Sequence, residues 1–567
     1  MNLKNLISKY WPLLIVLIVG GSIRLYGLLQ NPISLFADEV DIGYQAQSFI
    51  ATGRDYQGNF IPLQFHSFSD VRTSLPIYAT ILVSFIPGVS LDLAIRLTPA
   101  IFSVLGILLI YLLTNNLFKL FDLDTKIKIF EPGFWSALVL SLMPWHFTYS
   151  RIGFELSMLF TFFVAGMYFY TLYLKSKKTF LLVLSLVILS LTPMIYSTAK
   201  FAILLYPLIL MLIPGSIWVF WKQKAVLYFV ILFIPLGLLF LNGGSGKRFS
   251  EVSIFTDPTV STQINFLRNE DLGPVAKVGS ETNPLSKLAH NKAVDVSKMF
   301  LNNIINPISF SYLFLQGDTN ERHAVQGWGM LEKTLMIPLL FGFYKLASKK
   351  KKIFILFLLS LTFAAILPAS LTRDGFNHSS RNFMLIIPLV LLCGYGFAGI
   401  FSSSKWLAGL IVGFLLFESF LYLHNYWYHY RYSSERAWNA GIKEVVESQK
   451  KYPGQAIIIS PKYENPLIFY AYYTKMDPRR FQQFIKSNTL YNKLSGQFNL
   501  DGNRIGDTNL YIATPVDYKN TSQSSISNAI YYLTKLETEN SEILSVAFIN
   551  SIIRLPSGKI LYYEIHY

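Results

Sequence analysis

Apolar positions come in long runs near residues 10–29, 92–116, 133–149, 155–174, 179–192, 200–219, 225–241, 331–347, 353–369, 383–400 and 406–423. A helix that crosses a bilayer needs roughly 20 mostly apolar residues, so the pattern predicts about eleven transmembrane helices. The stretch 75–90 is apolar too, but Pro76, Pro87 and its shortness predict an interfacial helix. Three long polar segments remain: 30–74, 242–330 and 424–567. The last, at about 140 residues, is long enough to bury a core of its own. Within it Ala456–Ser460, Leu510–Thr514, Ile543–Ile549 and Ile560–Ile565 carry strand patterning, while Asn465–Tyr473 and Ser524–Leu536 read as helices. The expected fold is an α-helical polytopic membrane protein over 1–423, with outer loops 30–91 and 242–330, followed by an extracytoplasmic α/β domain over 424–567.

Composition agrees with this pattern. Of 567 residues 52% are hydrophobic and 14% charged, with 46 Phe and 34 Tyr, where soluble domains run near a quarter charged. The formal net charge of +16 would point to nucleic acid in a soluble chain. Here it marks loops beside anionic lipid, and no nucleic-acid partner is expected. Lys4 and Lys9, Lys119, Lys126 and Lys128, Lys175, Lys177 and Lys178, Lys222 and Lys224, Lys345 with Lys349–Lys352, and Lys405 all fall on one side of an eleven-span topology. Cytoplasmic loops collect lysine, so the N-terminus is expected in the cytoplasm and the C-terminal domain outside, in a plasma (inner) membrane. Lys4 and Lys9 before Trp11–Gly20 look like a signal peptide, but no small-x-small site follows, so the first run reads as a retained anchor. Cys393 is the single cysteine, which excludes an internal disulfide and a thiolate metal cluster.

Ionisable residues in the runs, Arg24, Asp92, Arg96, Glu155 and Glu418, sit near their outer ends. A pump or transporter is expected to hold such groups at the bilayer midplane. The first outer loop opens with Phe36-Ala37-Asp38-Glu39-Val40-Asp41-Ile42-Gly43-Tyr44. Three carboxylates so close repel one another, which suits cation binding or proton handling. Capping of a surface helix over Val40–Ile50 explains the acids equally well. The aromatics Trp145, Phe147, Tyr149 and Tyr196, with His146, read as an interfacial belt in preference to a sugar-stacking surface.

Ala37-Asp38-Glu39 after the first span resembles the acidic pair of the type C glycosyltransferases, in particular glycosyltransferase family 39. That family includes the protein O-mannosyltransferases and the lipid A aminoarabinose transferase. Four further stretches are similar to the family's: Gly53-Arg54-Asp55 to Pro62, Arg96-Leu97, Tyr149-Ser150-Arg151-Ile152-Gly153-Phe154-Glu155, and Leu371-Thr372-Arg373 with His378 and Arg381. Two departures stand out. Glu155 stands where relatives often carry Asp, and Asp70-Val71-Arg72-Thr73-Ser74-Leu75-Pro76 falls where some have Glu-Lys-Pro-Pro.

The resemblance implies a membrane enzyme that takes a sugar from a polyprenyl-phosphate carrier and passes it to a hydroxyl of a protein, lipid or glycan acceptor outside the cell. A phosphate leaving group needs positive charge, which Arg supplies through paired donors, and a weak hydroxyl nucleophile needs a carboxylate base. Asp38 is then the base, Glu39 orients a substrate or helps hold a metal, and Glu155 is a second carboxylate. Arg72, Arg96, Arg151, Arg322, His323, His378 and Arg381 are the candidates for holding phosphate or acceptor. Arg72 reads equally as an interfacial arginine, Arg96 and Arg151 as helix anchors, and Glu155 as an acid opening a helix. A divalent metal is a possible cofactor with no ligand set of clear spacing. The rivals are an oligosaccharide ligase or polymerase with a diphosphate-linked donor, and a non-enzymatic flippase for such lipids.

Overall fold

The computed structural model describes residues 3–67, 71–123, 130–216, 225–241, 253–273, 283–455, 457–460, 463–464, 466–487, 503–504, 510–512, 530–534 and 548–566. Lys126, Lys128, Lys222 and Lys224, Asp70, and residues 524–529 and 535–536 of the expected C-terminal helix lie outside them. The chain forms two compact units. One comprises Met1–Arg24, Pro99–Ser150 and Glu155–Leu423; the other comprises Leu25–Thr98, Arg151–Phe154 and His424–Tyr567.

The first unit is a helical bundle. All eleven apolar runs are helical at their centres. Five helices among the described residues are long and apolar enough to cross a membrane: Leu91–Leu120, Leu156–Ser176, Lys352–Ser370, Phe383–Ser403 and Lys405–Ser433. The chain is a multi-pass membrane protein. Several other runs are interrupted, for local reasons. The run 133–149 splits into Pro132–Leu142 and Pro144–Tyr149 because Pro144 lacks an N–H and forces Met143 out of the helical region, to φ −54° and ψ 122°. That break turns Trp145, Phe147 and Tyr149 inward to at most 1% exposure, which corrects the expectation of a lipid-facing aromatic belt. Small residues set the closest helix approach. A Cβ added to Gly396 on Ile386–Ser403 would lie 1.8 Å from the Pro338 carbonyl on Met336–Ser348. Membrane helices lack a hydrophobic drive to associate and rely on such close packing. At one end of this bundle the Lys351 Nζ lies 3.3 Å from the Asp122 carboxylate. The loops that carry these two residues therefore emerge together.

The second unit is built on a six-stranded sheet in the order β4-β5-β3-β6-β8-β7. Its strands are β3 (Ile457–Ile459), β4 (Asn503–Arg504), β5 (Leu510–Ile512), β6 (Ile530–Leu533), β7 (Phe548–Arg554) and β8 (Ile560–His566); a separate hairpin pairs β1 (Gln64–His66) with β2 (Val71–Thr73). β3 runs parallel to β5 and β6, and the other pairs are antiparallel. Residues 530–533 were expected in a helix. The Ile-Tyr-Tyr-Leu run is buried on every residue, and continuous apolar character suits a central strand as well as a buried helix. Helices Ala37–Thr52, Ser74–Ser84, Ile442–Ser448, Leu467–Tyr473 and Pro478–Ser487 complete the unit. The core joins sequence-distant parts: Val40 and Tyr44 pack in one cluster with Tyr56, Phe65, Ile457, Phe469 and Tyr532.

Candidate active site

The acidic triplet opens the helix Ala37–Thr52, here α1. Its start is fixed by a one-sided cap in which Phe36 N–H donates to the Glu39 carboxylate at 3.3 Å, and its end by Gly53 at φ 67°. The three carboxylates have separate environments. Glu39 is fully buried and accepts two parallel bonds from Arg96, Nε to Oε1 and Nη2 to Oε2, each 2.9 Å, plus the Gly153 N–H at 2.8 Å. The remaining Arg96 donors reach the carbonyls of Leu28, Pro32 and Ser34. With all five N–H groups engaged, Arg96 clamps the entry to α1, and a phosphate contacting it would have to displace one of these bonds.

Asp41, one turn on, is buried, with its side chain 4% exposed. It accepts from the hydroxyls of Tyr56 at 2.8 Å and Ser67 at 2.9 Å, and from Arg72 Nε. Burial pushes its carboxyl above the usual range in spite of the Arg72 guanidinium and these bonds. Asp38 differs from both: its side chain is 42% exposed, and Arg72 Nη2 donates to its Oδ1 at 2.7 Å. Arg72 therefore spans two carboxylates with two fixed, coplanar donors, where a lysine would offer one nitrogen on a flexible stem. The hairpin β1–β2 supplies it, since Arg72 sits on β2 opposite Phe65. Arg151, also in this unit, donates to the carbonyls of Gly27 and Asn31 at 3.0 and 2.9 Å and lies 4.4 Å from the Trp427 ring centroid. Asp41 as partner of Arg72 was not assigned from sequence; only the hairpin reveals it.

The other expected residues belong to the bundle unit. Glu155 sits half-buried at the N-terminal end of Leu156–Ser176, where a helix dipole favours an acid. His323 donates through Nδ1 to Asp318 at 2.9 Å, and Asp318 also accepts from the Asn320 N–H at 2.8 Å and from the Ser379 N–H at 2.8 Å and hydroxyl at 2.7 Å. Burial raises the Asp318 carboxyl, but the His323 and Ser379 bonds outweigh it and hold it below its ordinary value. The His323 and His378 rings lie 4.9 Å apart. Burial, then the Arg381 and His323 charges, push His378 down to about 3, so its ring is neutral at physiological pH. Arg381 donates to the Thr372 hydroxyl at 2.7 Å and to Asp374 at 2.8 Å. Arg322 is partly buried, its backbone N–H held by the Asn320 side chain. Asp318 and Ser379 were missed at the sequence level, although Asp318 stands five residues before His323. Among the described residues no group of three His, Cys, Asp or Glu is arranged to hold a metal ion. Arg381 also borders a narrow apolar groove in this unit, lined by Phe163, Ala202, Tyr206, Ala365 and Pro368.

Fold and site thus define a polytopic membrane protein with a capped acidic helix. No protein-family model matches the chain, and no curated protein matches it in sequence. Similar solved structures include the oligosaccharyltransferase of Archaeoglobus fulgidus in its apo form, at 13% identity and TM-score 0.47, over 82% of this chain and 64% of that one. The chain thus spans under two thirds of the length of the oligosaccharyltransferase. The aminoarabinose transferase ArnT of Cupriavidus metallidurans, bound to undecaprenyl phosphate, is similar at 9% identity and TM-score 0.48, over 98% and 97%. The Pmt1–Pmt2 protein O-mannosyltransferase of S. cerevisiae, bound to its sugar donor, is similar at 18% identity and TM-score 0.32, over 44% and 36%. These are type C glycosyltransferases, the type that the sequence resemblance named. Identities of 9–18% with TM-scores below 0.5 leave the activity to be argued from this chain's own residues.

Proposed function

We infer that this chain is an integral-membrane glycosyltransferase that moves a sugar from a polyprenyl-phosphate donor to an acceptor hydroxyl on the extracytoplasmic face, with residues 424–567 on that face. The observation that carries this reading is the sorting of the triplet: Glu39 and Asp41 are buried and engaged, while Asp38 alone keeps an accessible carboxylate, held in place by Arg72. In the proposed step the acceptor oxygen bonds to the anomeric carbon as the carbon–oxygen bond to phosphate breaks. Asp38 takes the hydroxyl proton, and polyprenyl phosphate departs with the bonding electrons. Glu39 and Arg96 position Asp38 by fixing the start of α1. Arg72 orients Asp38 and offers positive charge to the donor phosphate. Arg151 holds backbone and aromatic rings, and Glu155 acts as the acid opening its helix. The test uses membranes carrying the protein and a panel of polyprenyl-phosphate sugars. Asp38→Asn is expected to lower polyprenyl-phosphate release by at least about a hundredfold; unchanged release would remove Asp38 as base, and no release with any donor from the unaltered protein would remove the transferase reading.

A further inference from the structure

The sheet-containing unit holds a cavity of about 410 Å³ whose lining, apart from Arg96, has no role in the step written above. Small-ligand pockets run from about 300 to 1,000 Å³, so the space admits a sugar ring. Its polar wall comes from Asp92, from Lys443 and Glu444 on Ile442–Ser448, from Tyr473 at the end of Leu467–Tyr473, and from Arg554 at the end of β7. Buried Arg96 forms another part of the lining, and Ile33 and Leu35 make an apolar side.

Charge decides what this lining accepts. Asp92 and Glu444 share the lining with Lys443 and Arg554, and Arg96 is already paired with Glu39. A phosphate would meet two carboxylates here, and an ammonium would meet two cations. A neutral ligand with interleaved donors and acceptors meets neither obstacle. Sugar hydroxyls both donate and accept, and the C–H face of a ring packs against an aromatic or aliphatic wall. Several groups are held beforehand: the buried Tyr472 hydroxyl donates to Asp92, Arg554 donates to the Gly558 carbonyl at 3.0 Å, and Lys443 Nζ lies 5.4 Å from the Tyr473 ring centroid.

We propose that this cavity is a carbohydrate subsite that takes a neutral hexose or pentose ring. The inference rests on the glycosyltransferase reading for the origin of the ring, which is either an acceptor glycan or the sugar of the donor. Both present the same chemistry, and competition separates them. The ligand also reaches the Arg96 clamp, so occupancy bears on the start of α1, where Asp38 sits.

The experiment measures binding of methyl glycosides of hexoses and pentoses to the full chain in detergent, by saturation-transfer NMR and calorimetry. Saturable binding of at least one glycoside is expected, weakened about tenfold by Glu444→Gln and by Asp92→Asn, the loss of a hydrogen bond to a charged group. Glu444 is exposed, so that variant keeps the fold. Displacement of the glycoside by a polyprenyl-phosphate sugar assigns the pocket to the donor ring, and additive binding assigns it to an acceptor glycan. No glycoside binding, binding indifferent to both substitutions, or occupancy by a Ser/Thr peptide in place of glycosides overturns the subsite. Glycoside binding that persists while the unaltered protein transfers no sugar from any donor counts against the transferase reading and leaves the subsite standing.

Discussion

At the residue scale, the chemistry of the acidic triplet depends on which carboxylate meets which arginine. Arg72→Lys keeps one positive charge but replaces two fixed donors with one nitrogen on a flexible stem, so transfer is expected to fall by about tenfold with little change in thermal unfolding. Arg96→Met should act differently, because it strands the buried Glu39 carboxylate. Breaking one side of a buried pair costs about 3–5 kcal/mol, and unfolding in detergent would read that loss directly; a midpoint shift no larger than that of Arg72→Lys would show Arg96 is not the clamp described. His378 gives a pH test. Its folded pKa, about 3, lies below the ordinary 6.5, so protons favour the unfolded chain. Its contribution to stability is complete above about pH 6.5 and declines as pH falls towards 3. Arg381 and His323 oppose its protonation and Asp318 and Asp374 favour it. His378→Gln should flatten the stability profile over that window. The identity of the candidate base was legible in the sequence; the pairing of Arg72 with Asp41 was not, because it spans 31 residues and depends on hairpin register.

At the element scale, glycine contacts separate structural from permissive positions. Gly396→Ala would drive a Cβ into the Pro338 carbonyl, and Gly43→Ala would meet the Tyr472 ring at 2.5 Å. Each is expected to cost about 1–3 kcal/mol by overpacking. Gly409 and Gly413 have nothing within 4 Å, so their alanine variants serve as neutral or mildly stabilising controls in the same melting assay. Helix positions were legible because apolar runs of this length leave few alternatives. Their interruptions were less so. Pro144 and Pro207 were visible in sequence, yet whether a proline kinks a helix, ends it or opens the next depends on what the freed carbonyls and following side chains pack against. The strand at 530–533 shows the same limit, since buried apolar residues lack the alternation that distinguishes strand from helix.

At the scale of the whole molecule, the first outer loop and the C-terminal residues form one unit, and the lysine-flanked helices form the other. With Cys393 replaced, a cysteine at exposed Phe60 should react with an impermeant thiol reagent from outside intact cells, and a cysteine at exposed Lys350 only after permeabilisation. The reverse pattern would place the acidic doublet in the cytosol and remove the proposed reaction. By itself the sequence determined the multi-pass membrane character, the run of polar chemistry after the first span and the strand-forming segments near the C-terminus. These follow from local hydrophobic content and period, which neighbouring residues impose on one another. Tertiary structure alone decided that Asp38 stays accessible while Glu39 and Asp41 are spent on Arg96 and Arg72, and that a mixed-charge cavity forms from Asp92, Lys443, Glu444 and Arg554. The arginine pairings join residues 31 to 57 positions apart and the cavity joins the first outer loop to the C-terminal residues, and no local pattern encodes either.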